Sequence, residues 1–119
     1  MKVRYMRTFL LGLRIMRIHA LKTLKQFWGK YPDAEPNLRH WYGKVEGNEY
    51  KTPQEVIADF KNADSVGNER IVFNIARNKY RLIAAFNYEF QLCFVKFIGT
   101  HIEYNRIDAK IIDFESWKP

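Results

Sequence analysis

The sequence predicts an α+β fold: an N-terminal helical hairpin packed on a small antiparallel sheet, with a short C-terminal helix. Three observations carry that expectation. Apolar residues recur at helical spacing through the first half of the chain. The second half holds stretches rich in Ile, Val, Phe and Tyr separated by short turns. A Thr-x-x-Glu capping signature then follows the last apolar stretch. The chain has 119 residues, 47% of them hydrophobic, including nine Phe, seven Tyr and three Trp. That is enough for one core and too little for two.

The elements follow in order. Met16 to Ile18 reads as a short opening strand. From His19 to Tyr31, Leu21, Leu24, Phe27 and Trp28 fall on one helical face, with Lys22, Lys25 and Lys30 elsewhere, and Pro32 ends the helix. Asp33 or Asn37 is a candidate cap for a second helix carrying Leu38, Trp41, Tyr42 and Val45, stopped by Gly47-Asn48. The aromatic residues of this hairpin are expected to face the sheet as core, not to form a base-stacking platform. Thr52-Pro53-Gln54-Glu55 is an N-cap, a proline at the first helical position and a closing glutamate, opening a short third helix. A loop from Asn62 to Glu69 leads into strands Arg70 to Ala76, Tyr80 to Tyr88 and Phe90 to Ile98, joined by short turns and therefore an antiparallel meander. The final helix covers Thr100 to Ile107.

The N-terminus is set apart by charge. Residues 1–15 hold four basic residues and no acidic one, and Arg14 interrupts the apolar run Phe9 to Leu13. That run falls short of the roughly 7–15 residues of a signal peptide, and no stretch of the chain suits a membrane span. Met16 offers an alternative start. Residues 1–15 are therefore expected to be an extension, 16–112 the folded domain and 113–119 a tail. Of the formal +7, the extension supplies four charges, leaving 16 basic against 13 acidic residues. The remaining excess is local: Arg70, Arg77, Lys79, Arg81 and Lys96 stand against Glu89 alone between residues 70 and 101. A surface so polarised suits a polyanion. The single cysteine, Cys93, lies within an apolar strand, reads as a buried thiol and fits a reducing cytoplasm.

The chemistry narrows by elimination. His19, His40 and His101 show no paired metal-ligand spacing, so no metal is expected. Phosphate-cradling glycine motifs are absent, so no cofactor is expected, and Ser65 and Ser116 lie outside a nucleophile elbow. What remains is Gly99-Thr100-His101-Ile102-Glu103-Tyr104. An imidazole and a phenol three residues apart share a helix face at the end of a strand. RNA cleavage without metal needs a base for the 2′-hydroxyl, an acid for the leaving 5′-oxygen and cations for the phosphorane charge. His101, Tyr104 and Glu103 are the candidates for proton transfer, and Arg81 for charge stabilisation. Arg77, Lys79, Lys96, Asn74 and Arg70 are the candidates for RNA binding. Lys79 and Arg81 are expected on one strand face, opposite Tyr80 and Leu82. A structural reading stands beside this one, with Glu103 capping the helix and Tyr104 packing on Phe97.

The chain also resembles the HigB toxins of the RelE/ParE-like superfamily. The resemblance rests on Phe27-Trp28-Gly29-Lys30-Tyr31-Pro32-Asp33-Ala34-Glu35, Trp41-Tyr42, Lys51-Thr52-Pro53, Asp59-Phe60, Asp64-Ser65-Val66-Gly67-Asn68, Val72-Phe73-Asn74-Ile75, Asn78-Lys79-Tyr80-Arg81-Leu82 and Gly99 to Tyr104, in that order. It runs from Met16 to about Ala109. It implies a type II toxin–antitoxin system whose toxin is an mRNA interferase, cutting mRNA on the ribosome and neutralised by a HigA-like helix-turn-helix antitoxin. The pattern departs at Asn105, where an aspartate is usual. A ParE-like inhibitor of DNA gyrase, or an inactive antitoxin-binding relative, are the alternative readings of the same fold.

Overall fold

In the computed structural model, which describes residues 15–113, an α+β architecture forms, with the N-terminal helices on one face of a sheet and the short C-terminal helix on the other. The order is β1 (Arg17–His19), α1 (Leu21–Lys30), a 3₁₀ turn (Pro32–Ala34), α2 (Glu35–Glu46), α3 (Pro53–Ala58), β2 (Ala63–Gly67), β3 (Arg70–Ile75), β4 (Tyr80–Asn87), β5 (Leu92–Thr100) and α4 (His101–Tyr104). The expected N-terminal extension, except Ile15, and the tail beyond Asp113 lie outside the described residues.

The helical hairpin forms as its spacing predicts. Leu24 and Phe27 of α1, and Leu38, Trp41 and Val45 of α2, are buried on one side. Neither Asp33 nor Asn37 caps α2. Ala34 takes that position without a side-chain bond, because the 3₁₀ turn at Pro32 already feeds α2. The Thr52 hydroxyl accepts from the Glu55 amide at 3.2 Å, while the Glu55 carboxylate accepts from Lys51 N at 2.8 Å instead of closing the box on Thr52.

The sheet has five strands in the order β1-β5-β4-β3-β2. The β3-β4-β5 meander is antiparallel, as expected. Two edges extend it. At one, residues expected in a loop form β2, paired antiparallel to β3 through a turn in which Asn68 and Glu69 take φ of 55° and 62°. Asp64, Ser65 and Gly67 are poor strand formers, so this strand exists by pairing and not by propensity. At the other edge, β1 runs parallel to β5 with His19 opposite Phe94, which places His19 on a strand and not in the first helix. The last strand also begins two residues later than expected. Gln91 takes φ 55° and caps the turn, its side chain accepting from Tyr50 N and donating to Tyr50 O and Tyr88 O.

The two sheet faces differ. Ile71, Phe73, Ile75, Leu82, Ala84, Phe86, Cys93, Val95 and Ile98 pack under the helices in the main core. On the opposite face Val72, Ile83 and Phe97 form a smaller cluster. Tyr104, Ile107, Ala109 and Ile112 of the C-terminal segment, with Val66, pack over it. This segment stops being helical after Tyr104, three residues earlier than expected, and crosses the sheet as a strap.

Candidate active site

The site begins where β5 stops. Thr100 takes an extended conformation, its hydroxyl accepts from the Glu103 amide at 3.2 Å, and Glu103 Oε1 accepts from Thr100 N at 2.8 Å. The capping box is complete in both directions, which turns the chain into α4 within one residue. Gly99 makes that turn possible: a Cβ there would sit 2.6 Å from Phe97 Cζ and 2.8 Å from Glu103 Oε1. The His101 amide donates to Lys79 O at 3.2 Å and ties α4 to the start of β4.

On the helix so placed, His101 is exposed and Tyr104 half-buried. The Tyr104 ring leans on Phe97, with centroids 6.4 Å apart, and carries the Arg81 guanidinium 5.7 Å from its own centroid. Arg81 Nη1 also donates to Asn78 O at 3.0 Å. Arg81 is thus held from two sides, and Asn74 and Gly99 flank it in register on the neighbouring strands. The turn that supplies the Asn78 carbonyl is strained. Ala76, Arg77 and Asn78 take φ of 53°, 57° and 72° in succession, a left-handed run without glycine. Each such residue costs roughly 1–2 kcal/mol, and strain of this kind concentrates at functional sites. Arg77 stands exposed at its apex.

Several of the expected site residues lie elsewhere. Lys79 does not share a face with Arg81. The left-handed turn ends only at Lys79, so strand alternation starts at Tyr80, and the Lys79 ammonium reaches Asp33 Oδ2 at 2.7 Å on the helical side. The Tyr80 hydroxyl donates to the other oxygen of that carboxylate, also at 2.7 Å. The bonds from Lys79 and Tyr80 hold the Asp33 carboxyl below its ordinary range. Burial, and then the hydrogen bond to Asp33, push the Tyr80 phenol up to about 12. Arg70 is not an exposed cation at all: it is 8% exposed, and Nη1 donates to Ala109 O at 3.2 Å and to Ile112 O at 2.5 Å. Its register position puts it under the C-terminal strap, where a guanidinium satisfies two backbone carbonyls. Lys96 is the extra residue of a bulge opposite Ile83 and Ala84, pairs with Asp113 at 3.6 Å and lies over Phe94.

The structure therefore brings Arg81 onto Tyr104 with Asn74 beside it in register, and His101 lies one helical turn before Tyr104, with Arg77 exposed in the preceding turn. Glu103 borders the group with its Oε1 committed to the cap. Sequence reasoning missed the support: Asn78, whose carbonyl orients Arg81, and Asp33, which withdraws Lys79. Asp33 and Lys79 are 46 residues apart, and no local pattern announces the pair. Cys93 is fully buried and its thiol is raised by that burial, so it is core.

Residues 34–107 match the model of a family described as HigB_toxin, the RelE-like toxic component of a toxin-antitoxin system. The mRNA interferase toxin HigB of Escherichia coli K12 is 28% identical over 96 residues, covering 79% of this chain and 92% of that protein. An mRNA interferase HigB of Shigella flexneri matches to the same extent. That of Escherichia coli O6:H1 strain CFT073 is 31% identical over 80 residues, covering 66% of this chain and 78% of the relative.

Proposed function

The chain belongs to the HigB family of RelE-like toxins, and on that premise we propose that it cuts mRNA at the site formed by Arg81, Tyr104 and His101. It is the toxic component of a toxin–antitoxin system, an RNA-cleaving enzyme with an antitoxin as its partner. The reading is carried by one arrangement. A guanidinium held between the Asn78 carbonyl and the Tyr104 ring stands beside a helix that presents an exposed imidazole.

The reaction needs no group beyond these. The ribose 2′-oxygen attacks the adjacent phosphorus as its proton passes to a base. The bond to the 5′-oxygen breaks, and that oxygen takes a proton from an acid. The products are a 2′,3′-cyclic phosphate and a 5′-hydroxyl. His101 and Tyr104 carry the proton transfers, and Arg81 neutralises charge on the phosphorane, where a fixed cation is most effective. Asn74 and Arg77 hold the flanking backbone. Lys96 lies further along the same sheet. Lys79 reaches RNA only by releasing Asp33. Glu103 serves the site by fixing α4, and Arg70 by fixing the strap.

The catalytic unit in this reading is residues 16–112, with 1–15 an extension. The antitoxin is of the HigA-like helix-turn-helix type, and the cut is made in the cytoplasm on mRNA held by the ribosome. No helix among the described residues is long and apolar enough to cross a membrane. Mapping RNA ends after induction tests the proposal. New 5′-hydroxyl termini in mRNA, present with the wild type and absent with Arg81→Ala, are expected. Growth arrest with intact message would overturn it.

A further inference from the structure

Beyond the catalytic group, the same sheet face carries a second, unassigned feature at its β1 edge. His19 and Phe94 stand opposite each other on the paired strands β1 and β5, their rings stacked with centroids 5.0 Å apart and planes within 16°. Both are exposed, Phe94 by 37%. Ala85, the register partner of Phe94 on β4, adds little bulk beside it. Arg81, Ile83 and Ala85 alternate onto one face, so Phe94 and His19 share the face of Arg81. Lys96 Nζ lies 5.8 Å from the Phe94 centroid, and Arg17 is exposed two residues before His19. Asp113, bound to Lys96, is an acidic group of this corner.

We propose that the His19–Phe94 stack is a nucleobase platform for single-stranded RNA flanking the cut. The inference rests on the RNA-cleaving reading above and adds a binding subsite to it. Gly99 and Phe94 stand opposite Arg81 and Ala85, four residues apart on β4, roughly 13 Å at about 3.3 Å per residue, a span of a few nucleotides. Ile83 and Phe97, which lie between Arg81 and the platform, are covered by the strap, so a strand whose scissile phosphate lies on Arg81 reaches the platform by passing over the strap. Stacked aromatic side chains beside cations are what unpaired bases and their phosphates require, and stacking tolerates any base. The platform holds the substrate without choosing its sequence.

The test uses a single-stranded RNA methylated at every 2′-oxygen, which cannot be cut, with 2-aminopurine at a position flanking the cut. Binding to the wild type should quench its fluorescence. His19→Ala and Phe94→Leu should each weaken binding by roughly five-fold to a hundred-fold and abolish the quench. Lys25→Ala, an exposed cation lost from the helical side, should change neither, and unchanged denaturation midpoints will show that the variants fold. Wild-type affinity and quench in both platform variants would overturn the inference while leaving the cleavage reading intact. A wild type that binds no free RNA would overturn the platform, while the cleavage reading stands or falls on the mapped RNA ends. Variants that keep RNA binding but lose the antitoxin would assign the stack to that partner and likewise reject the platform.

Discussion

The guanidinium of Arg81 lies 5.7 Å from the centroid of the Tyr104 ring, joining the second strand of the meander to the helix that follows the third. Two residues 23 positions apart thus define the centre of the site, and each has a second hold, Arg81 on Asn78 O and Tyr104 on Phe97.

Arg81 is expected to act on the charge that develops in the transition state. Removing one such donor costs roughly 10²–10³ in rate elsewhere. Arg81→Ala should lower single-turnover RNA cleavage by about that factor, and Arg81→Lys should recover only part, since an ammonium lacks the planar fork. Tyr104→Phe separates the ring from the hydroxyl. If the phenol transfers a proton, Phe is nearly as damaging as Ala; if the ring only supports Arg81, Phe is close to wild type.

His101 is exposed and contacts the rest of the fold through its backbone amide. His101→Ala should therefore leave the denaturation midpoint nearly unchanged while cleavage falls by roughly 10²–10⁴, the usual range for a proton-transfer residue. Full activity in this variant would remove the imidazole from the reaction.

Arg70 makes the opposite forecast. A buried guanidinium bonded to the carbonyls of Ala109 and Ile112 holds the strap that packs over Val72, Ile83 and Phe97. Arg70→Ala leaves both carbonyls unpaired and should cost about 1–3 kcal/mol of stability. Cleavage then falls in proportion to unfolding or strap release, visible as faster hydrogen exchange in residues 104–112. A variant of undiminished stability that binds RNA weakly would return Arg70 to the substrate.

The contrast between Arg70 and Arg81 shows what was legible in the sequence. The helical faces, the meander and the Thr100 cap rest on local signals, so periodicity and capping chemistry found them. The strand β2 carries Asp64 and Gly67, which disfavour strands, and β1 pairs with a strand more than seventy positions away. Sequence adjacency marked Lys79 and Arg81 as neighbours on one face, yet three left-handed residues before Lys79 rotate it to the other. Charge counting likewise ranked Arg70 with the exposed cations. Which arginine meets solvent is decided by the strap, a tertiary contact with no local signature. His19 was hidden for the same reason, since only the parallel pairing brings Phe94 beside it.

The Asp33 carboxylate, shared by Lys79 and Tyr80, gives the fold a pH signature. The Asp33 pKa is below its unfolded value, so its contribution to stability is present above about pH 4 and is lost as pH falls through the lower, folded value. The Tyr80 pKa is raised to about 12, so its contribution is complete below pH 10 and disappears as pH rises through 12. Asp33→Asn should be less stable than the wild type across the neutral range, with the difference closing at the acid end as the wild-type carboxyl protonates. Urea denaturation midpoints of the two proteins, measured from pH 3 to pH 8, check this. A difference that stays constant across that range would mean the carboxylate charge plays no part, and that Asp33 acts only by its shape in the 3₁₀ turn.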